Sequence, residues 1–156
     1  MPSQPGVPSR ASHTAPAPAP SPEASYSAFL CELAAALHGE PARQRELIAE
    51  EFTVLGDIAI AFEPSDESDG DEGVRVLFDL GQAPRGRELA VYTYLLAQQL
   101  RNLPRAQLSV GLEPQSRHLM LNLFLENVPG TGELQADVIR QHLQVVAYLQ
   151  REIAIL

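Results

Sequence analysis

The chain has 156 residues, of which 45% are hydrophobic, so it can form one domain with a true core. Its formal net charge is −9, and all eleven basic residues are arginine. A surface of this sign repels polyanions, which argues against nucleic acid and anionic membranes as partners. No apolar run approaches the roughly 18 residues of a spanning helix, so we expect no membrane insertion. The single cysteine, Cys31, excludes an internal disulfide and fits a reducing cytosol.

Residues 1–24 consist mostly of proline, alanine and serine, and alanine alternates with proline from Ala15 to Pro20. Proline fixes φ and removes backbone donors, so this segment is predicted to be a disordered tail outside the core. It lacks the apolar stretch of a Sec signal peptide, and we therefore expect the protein to stay inside the cell. Residues 25–156 are predicted to form a single domain.

The first predicted helix begins at Ser25, which can act as its N-cap, and ends near His38. Gly39 and Pro41 end it, and the following PARQRELIAEE is interpreted as a short polar connection. The apolar residues of this helix recur at helical spacing and form one face. They are Tyr26, Phe29, Leu30, Leu33, Ala34 and Leu37.

From Phe52 to Phe62 the apolar period changes to two, which indicates a strand or a broken pair of strands. A second alternating run, Val74 to Leu80, predicts another strand, so FEPSDESDGDEG between them is a hairpin connection. Its five acidic residues between positions 66 and 72 would suit calcium. However, starting an EF-hand loop at Asp66 or at Glu67 leaves its glycine and glutamate positions unfilled. We therefore interpret the stretch as a solvated acidic loop without a metal.

The rest of the chain predicts a helix from about Arg85 to Leu103, a second hairpin from Leu108 to Leu125, and a helix from about Gly132 to Ile153. The resulting order of elements is α-β-β-β-α-β-β-α. This order predicts an α+β fold, with a mostly antiparallel, twisted sheet and three helices that cover one of its faces.

Catalytic signals are weak in this sequence. Cys31 and His38 lie on one predicted helix at a spacing of roughly 10 Å along its axis, too far for a hydrogen bond. No GxSxG, HExxH, CxxC or phosphate-binding glycine loop occurs. We expect no catalytic residue and no cofactor. A small hydrolase or isomerase with a pocket at His118 or His142 stays open as an alternative.

Apolar residues are in surplus on the second face of the predicted sheet, which should be polar if helices cover only the first. Either the strand ends curl and bury these residues within the monomer, or the face binds a partner. The middle helix has a similar surplus, and Val91 and Tyr94 could meet a second subunit across a two-fold axis. Binding is therefore favoured over catalysis. The second-face residues are Leu55, Ala59, Ala61, Leu77, Met120 and Phe124.

The sequence resembles the class I type III secretion chaperones, the CesT/SycE-like group, over about residues 25–153. The segments that carry the resemblance are SYSAFLCELAAAL, EFTVLGDIAIAFE, VRVLFDL, ELAVYTYLLAQQLRNL and QLSVGLEPQSRHLMLNLFLEN. Members of that family are small acidic homodimers of the bacterial cytosol, and each binds the N-terminal region of a secreted effector in extended form. The resemblance implies binding without catalysis, cofactor or metal, and it allows transient docking to the secretion apparatus.

The resemblance also implies two sets of site residues. The expected client-binding residues are Tyr26, Leu30, Leu55, Ala59, Leu77, Met120 and Phe124. In that family the middle helix builds the dimer, so the expected interface residues are Leu89, Tyr92, Tyr94, Leu96 and Leu100. The main alternative among binding functions is a regulatory adaptor of the same fold, which would bind a partner protein or a transcription factor instead of an export client.

Overall fold

The structure is a computed structural model, and it describes residues 21–65, 73–102 and 108–156. The predicted α+β class is confirmed, although the described residues form four helices where three were expected. Residues 1–20 of the predicted tail and the five acidic residues between positions 66 and 72 of the predicted loop lie outside the described part. The elements are α1 Pro22–Leu37, α2 Pro41–Glu50, β1 Phe52–Leu55, β2 Ile58–Ser65, β3 Gly73–Gln82, α3 Glu88–Asn102, β4 Leu108–Leu112, β5 His118–Glu126 and α4 Gly132–Ile155.

Helix α1 begins earlier than predicted. Ser21 is its N-cap, because the Ser21 hydroxyl accepts a hydrogen bond from the Ala24 N–H at 3.3 Å. The predicted start of this helix at Ser25 was therefore too late. At the other end, His38 Nε2 lies 2.9 Å from Thr53 Oγ1, which ties the end of α1 to strand β1.

Helix α2 occupies the segment that was interpreted as a polar connection, so that interpretation was wrong. Pro41 occupies its first turn, where the missing N–H costs nothing. The Gln44 side chain donates to the His38 carbonyl at 2.6 Å, and Leu47 is fully buried. Glu51 ends the helix with a φ of 51° and turns the chain into β1. Leu47 is the one buried side chain of this helix, so its sequence has no apolar stripe from which a helix could be predicted.

The five strands form one antiparallel sheet in the order β1-β2-β3-β5-β4. Strand β3 lies at its centre, where Phe78 pairs with Ile60 on one side and with Leu121 on the other. The pairing of β3 with β5 shifts between Asp79 and Gly81. Gly81 has a φ of 83°, and its N–H donates to Asp79 Oδ1 at 2.7 Å, which stabilises this bulge.

The hairpin between β1 and β2 decides which face each residue occupies. Gly56 and Asp57 form a two-residue turn, with Gly56 at a φ of 61°, so Leu55 pairs directly with Ile58. Directly opposed residues project from the same face, and Ile58 is buried under the helices. The prediction that Leu55 shares the second face with Ala59 was therefore wrong, because the turn exchanges odd and even positions between the two strands.

Helices α1, α2 and α4 pack on one side of the sheet, which we call the covered face. Phe78 is fully buried there, and its ring stacks on the His142 ring of α4 at 6.5 Å between centroids. The Gln150 side chain of α4 also donates to the Asp79 carbonyl at 3.0 Å. The strand residues buried on this face are Ile58, Ile60, Phe62, Val74, Val76, Phe78, Leu80, Leu119, Leu121, Leu123 and Leu125.

Helix α3 lies beside edge strand β4. The Val110 N–H donates to Gln99 Oε1 at 3.4 Å, so a side chain of α3 satisfies a backbone donor of the sheet edge. Val91 and Leu95 are buried and hold the helix against the core. The predicted helix began at Arg85, whereas the observed one begins at Glu88.

Helices α1 and α4 come close together at Gly132. A Cβ added there would lie 2.8 Å from Glu32 Cβ and 2.9 Å from its carbonyl oxygen. We expect Gly132→Ala to lower the free energy of unfolding by about 1–3 kcal/mol, as overpacking does, measured by urea denaturation. Gly39→Ala is the control, since a Cβ at Gly39 meets nothing within 4 Å. Equal effects of the two substitutions would contradict the close approach.

Candidate binding surfaces

The side of the sheet opposite the helices carries a set of apolar residues, which we call the open face, and Asn122 on β5 interrupts this set between Met120 and Phe124. The register places them together, because Phe52 pairs with Ala61, Ala61 with Leu77, and Val54 with Ala59. None of them belongs to the buried core cluster or packs against it. The members of the open face are Phe52, Val54, Ala59, Ala61, Leu77, Met120 and Phe124.

The open face has a shallow channel that runs along β2. Phe52 and Val54 of β1 are each 43% exposed and form one wall. Leu77 of β3 forms part of the other wall, and the small side chains of Ala59 and Ala61 form the floor. The backbones of β1 and β3 lie two strand spacings apart, about 10 Å, so the space between their side chains can take one extended segment but is too narrow for a helix of roughly 10–12 Å. The channel is therefore an apolar groove with a fixed direction.

Among the described residues, charged groups of the open face lie at its two ends. At one end Arg75 Nη1 lies 3.7 Å from Glu63 Oε2, and both side chains are about half exposed. At the other end His118 Nδ1 lies 2.8 Å from Asp79 Oδ2. Between these pairs the described side chains are uncharged, so a ligand there makes apolar contacts first.

At the Arg75 end, the Phe124 ring lies across the backbone of β3. A Cβ added to Gly73 would fall 2.1 Å from a ring carbon of Phe124, so a larger residue at position 73 would displace the ring. Phe124 is half-buried in this position. This contact fixes the direction of the largest open-face side chain on β5.

The predicted client-binding residues fall into two groups. Ala59, Leu77, Met120 and Phe124 lie on the open face, as expected. Tyr26 and Leu30, by contrast, are 8% and 2% exposed and belong to the core cluster, and Leu55 lies on the covered face. Sequence reasoning missed Phe52 and Val54, which the turn after Leu55 moves to the open face. The two-residue spacing between Leu55 and Ile58 was the signal that could have revealed them.

Tyr26 still borders a cavity of about 300 Å³. Its hydroxyl is buried, and no described residue lies within hydrogen-bond geometry of it. Burial, together with the nearby Glu51 carboxylate, raises the pKa of the Tyr26 phenol, so the group stays neutral. The cavity lies where α1 begins and where β2 and β3 meet the undescribed connection. It is lined by Pro22, Glu23, Tyr26, Pro64, Ser65, Gly73 and Asn127.

The predicted dimer residues of α3 also separate into two groups. Leu89, Leu96 and Leu100 are 80%, 61% and 69% exposed, so their side chains are free to meet a partner. Tyr92 and Tyr94 instead pack against the core cluster. Burial, followed by the neighbouring Tyr148 hydroxyl, raises the pKa of Tyr94 to about 12. Tyr94 thus faces α4 and not the solvent side of α3.

The residues singled out for catalysis do not converge. His142 Nδ1 is 2.7 Å from the Val138 carbonyl and its ring stacks on Phe78, so this histidine belongs to the core packing. His118 pairs with Asp79 at the margin of the open face. Cys31 is exposed on α1. Within the described ranges, no three His, Cys, Asp or Glu side chains lie close enough to hold a metal ion.

No helix in the described part of the chain is long and apolar enough to cross a membrane. Compared with known proteins, the chain matches no family model, no curated protein and no solved structure. The resemblance to the secretion chaperones therefore stays a prediction from the sequence. In the described part of the chain, the two apolar candidate binding surfaces are the open face and the exposed side of α3.

Proposed function

We propose that this protein is a type III secretion chaperone of the bacterial cytoplasm. In this proposal, a homodimer binds the N-terminal region of one or more effector proteins in extended form and keeps them soluble for export. The observation that carries the proposal is the open face, an apolar sheet surface with a channel along β2 and no charge at its centre.

The channel suits an extended segment because of its periodicity. Alternate side chains of such a segment point the same way, so every second residue can enter the channel over Ala59 and Ala61. Each apolar side chain that becomes fully buried contributes roughly 1.5–3 kcal/mol, so a few of them provide useful affinity. Binding of this kind needs neither a nucleotide nor a metal.

The charge of the protein supports the same function. A net charge of −9 keeps a molecule with an exposed apolar face soluble, since like-charged copies repel each other. It also favours clients whose apolar segment is flanked by arginine or lysine, because those residues meet an acidic surface. Nucleic acid is negatively charged and would be repelled by this surface, so it is not part of the proposal.

The test is to fill the channel. We expect Ala61→Trp to leave the fold intact, because tryptophan is well tolerated in strands, and to block the channel. The protein is co-expressed with N-terminal segments of secreted effectors from the source bacterium, and the co-purifying client is quantified. Bound client should fall at least about tenfold, which corresponds to roughly 1.4 kcal/mol.

Ala28→Trp is the matched control, because Ala28 is exposed on α1, on the other side of the sheet. It should bind client as the unchanged protein does, and circular dichroism should be the same for both variants. Equal client binding by the two tryptophan variants would refute a role for the open face. Binding of the folded remainder of an effector, without its N-terminal segment, would favour the regulatory adaptor instead.

A further inference from the structure

A small pocket lies where the end of β3, the turn between β4 and β5, and the first turns of α3 meet. Its volume is about 210 Å³, and we call it the arginine pocket because Arg85 and Arg117 both line it. The half-buried Tyr92 lies between them on α3 and also lines it. Two cationic side chains at one pocket stand out in a chain whose net charge is −9. The other lining residues are Gln82, Ala83 and Glu88.

Two neighbouring turns supply the two arginines. Arg85 lies in the turn between β3 and α3, and Arg117 lies in the turn between β4 and β5. The Gln82 side chain, at the end of β3, donates to the Ser116 carbonyl at 2.8 Å and so joins the two turns. Within residues 21–65, 73–102 and 108–156, no carboxylate oxygen lies within 4.0 Å of either guanidinium. Both arginines can therefore bind the same ligand.

The nearby acidic groups do not cancel the positive charge of the pocket. The Glu113 carboxylate accepts hydrogen bonds from the Gln115 and Ser116 N–H groups within its own turn, and Glu113 does not line the pocket. Glu88 does line it, and it is the first residue of α3. The N-terminus of this 15-residue helix carries a partial positive charge, which adds to that of the two guanidinium groups. The pocket therefore has an excess of positive charge.

Arg117 has a backbone conformation that arginine rarely adopts. Its φ is 59°, in the left-handed region where glycine and asparagine are the usual residues. The Arg117 N–H donates to the Glu113 carbonyl at 2.9 Å, which closes the turn in this conformation. Unfavourable backbone conformations of this kind are concentrated at functional sites. Arginine at this position therefore points to a role for its side chain, and that side chain belongs to the pocket.

We propose that the arginine pocket binds a phosphate group. A phosphate group carries a charge of about −1.5 to −2 at pH 7 and has enough acceptor oxygens for two guanidinium forks at once. A carboxylate has only two oxygens, which a single fork satisfies. The pocket is smaller than the roughly 300–1,000 Å³ that drug-sized ligands occupy, so the ligand is compact. It is either free phosphate or a small phosphate monoester whose organic part contacts Tyr92.

Calorimetric titration of the full chain with inorganic phosphate tests the site. The ionic strength is kept constant with sodium chloride, so that general screening does not change. We expect saturable binding of a single phosphate per chain, and binding of acetate that is at least about tenfold weaker. Absence of saturable phosphate binding, or equally tight binding of acetate, would overturn the proposal.

Phenyl phosphate distinguishes the two sources of the phosphate group. It carries the same group on an aromatic ring, which can stack on Tyr92. Tighter binding of phenyl phosphate than of inorganic phosphate would identify a monoester as the ligand. Equal or weaker binding would identify the free ion.

Substitution of Arg117 tests the residues that carry the proposal. Arg117→Asn should weaken phosphate binding by at least about tenfold, and it should keep the fold because asparagine also adopts the left-handed conformation. Arg45→Gln is the matched control, since Arg45 is exposed on α2 and its loss changes the net charge by the same amount. Equal weakening by the two substitutions would mean that phosphate responds only to net charge, and would refute a built site.

Substitution of Glu88 should act in the opposite direction. Glu88→Gln removes the carboxylate that lines the pocket, so phosphate should bind about threefold more tightly or better. Glu46→Gln, at an exposed position of α2, makes the same chemical change away from the pocket and should leave the affinity unchanged. A Glu88→Gln protein that binds phosphate no better than the Glu46→Gln protein would contradict the site. The Ala61→Trp test of client binding does not depend on any of these results.

Discussion

Phe78→Ala should destabilise this protein more than any other single truncation in the sheet. The ring is fully buried on the central strand, between Ile60 and Leu121, and it stacks on His142. Its removal leaves a cavity between the sheet and α4 that neighbouring strands cannot collapse to fill. We expect the free energy of unfolding to fall by about 3–5 kcal/mol, measured by urea denaturation followed by circular dichroism.

Leu77→Ala is the control for this measurement, because Leu77 is the preceding residue and points to the open face. It is only half-buried, so its truncation should cost less than about 1.5 kcal/mol. The comparison also tests the assignment of the two faces. Comparable losses at Leu77 and Phe78 would mean that the open face is buried in the folded monomer.

Leu96→Glu should abolish self-association under ordinary conditions. The side chain is 61% exposed in one copy, so the monomer can accommodate glutamate without cost. In a dimer that pairs the α3 helices, which the proposed function expects, it would place a carboxylate in an apolar layer, and the two-fold axis introduces this charge twice. We expect the dimer dissociation constant to rise by at least about a hundredfold, which corresponds to roughly 2.7 kcal/mol, measured by analytical ultracentrifugation.

Leu134→Glu is a closely matched control. Leu134 lies on α4 and is 63% exposed, so the same chemical change occurs at nearly the same accessibility but outside α3. Its sedimentation should equal that of the unchanged protein. If Leu96→Glu still sediments as a dimer while its fold is intact, α3 does not form the interface.

The class and most of the elements of the fold could be predicted because their apolar periods are clear. Strand β3 alternates from Val74 to Leu80, and the structure buries that set on the covered face. Helix α2 could not be predicted in this way, since only Leu47 is buried and no stripe develops over its length. Its stability comes from contacts with α1 and β1, which no local pattern reports.

The sequence predicted which kinds of surface are present, but it did not predict all of the residues that form them. An apolar second face was expected and is present, but a two-residue turn decides whether Leu55 or Val54 belongs to it. Tyr26 and Leu30 satisfy the same helical period as any partner-binding stripe, and only the packing of α1 against α4 shows that they are internal. On α3, likewise, the sequence alone does not show that the leucines are exposed and the tyrosines pack against the core. That distinction depends on the neighbouring elements.

The lengths of the strands limit how a partner can attach. The two edge strands are the shortest, with four residues in β1 and five in β4, whereas the three inner strands have eight to ten. The β4 edge also carries the Gln99 side chain of α3. A segment added to either edge could form only a few main-chain hydrogen bonds, which discourages growth into open-ended sheets. In the proposed function, side chains on the face of the sheet therefore provide most of the recognition, and different clients share the site if their apolar spacing agrees.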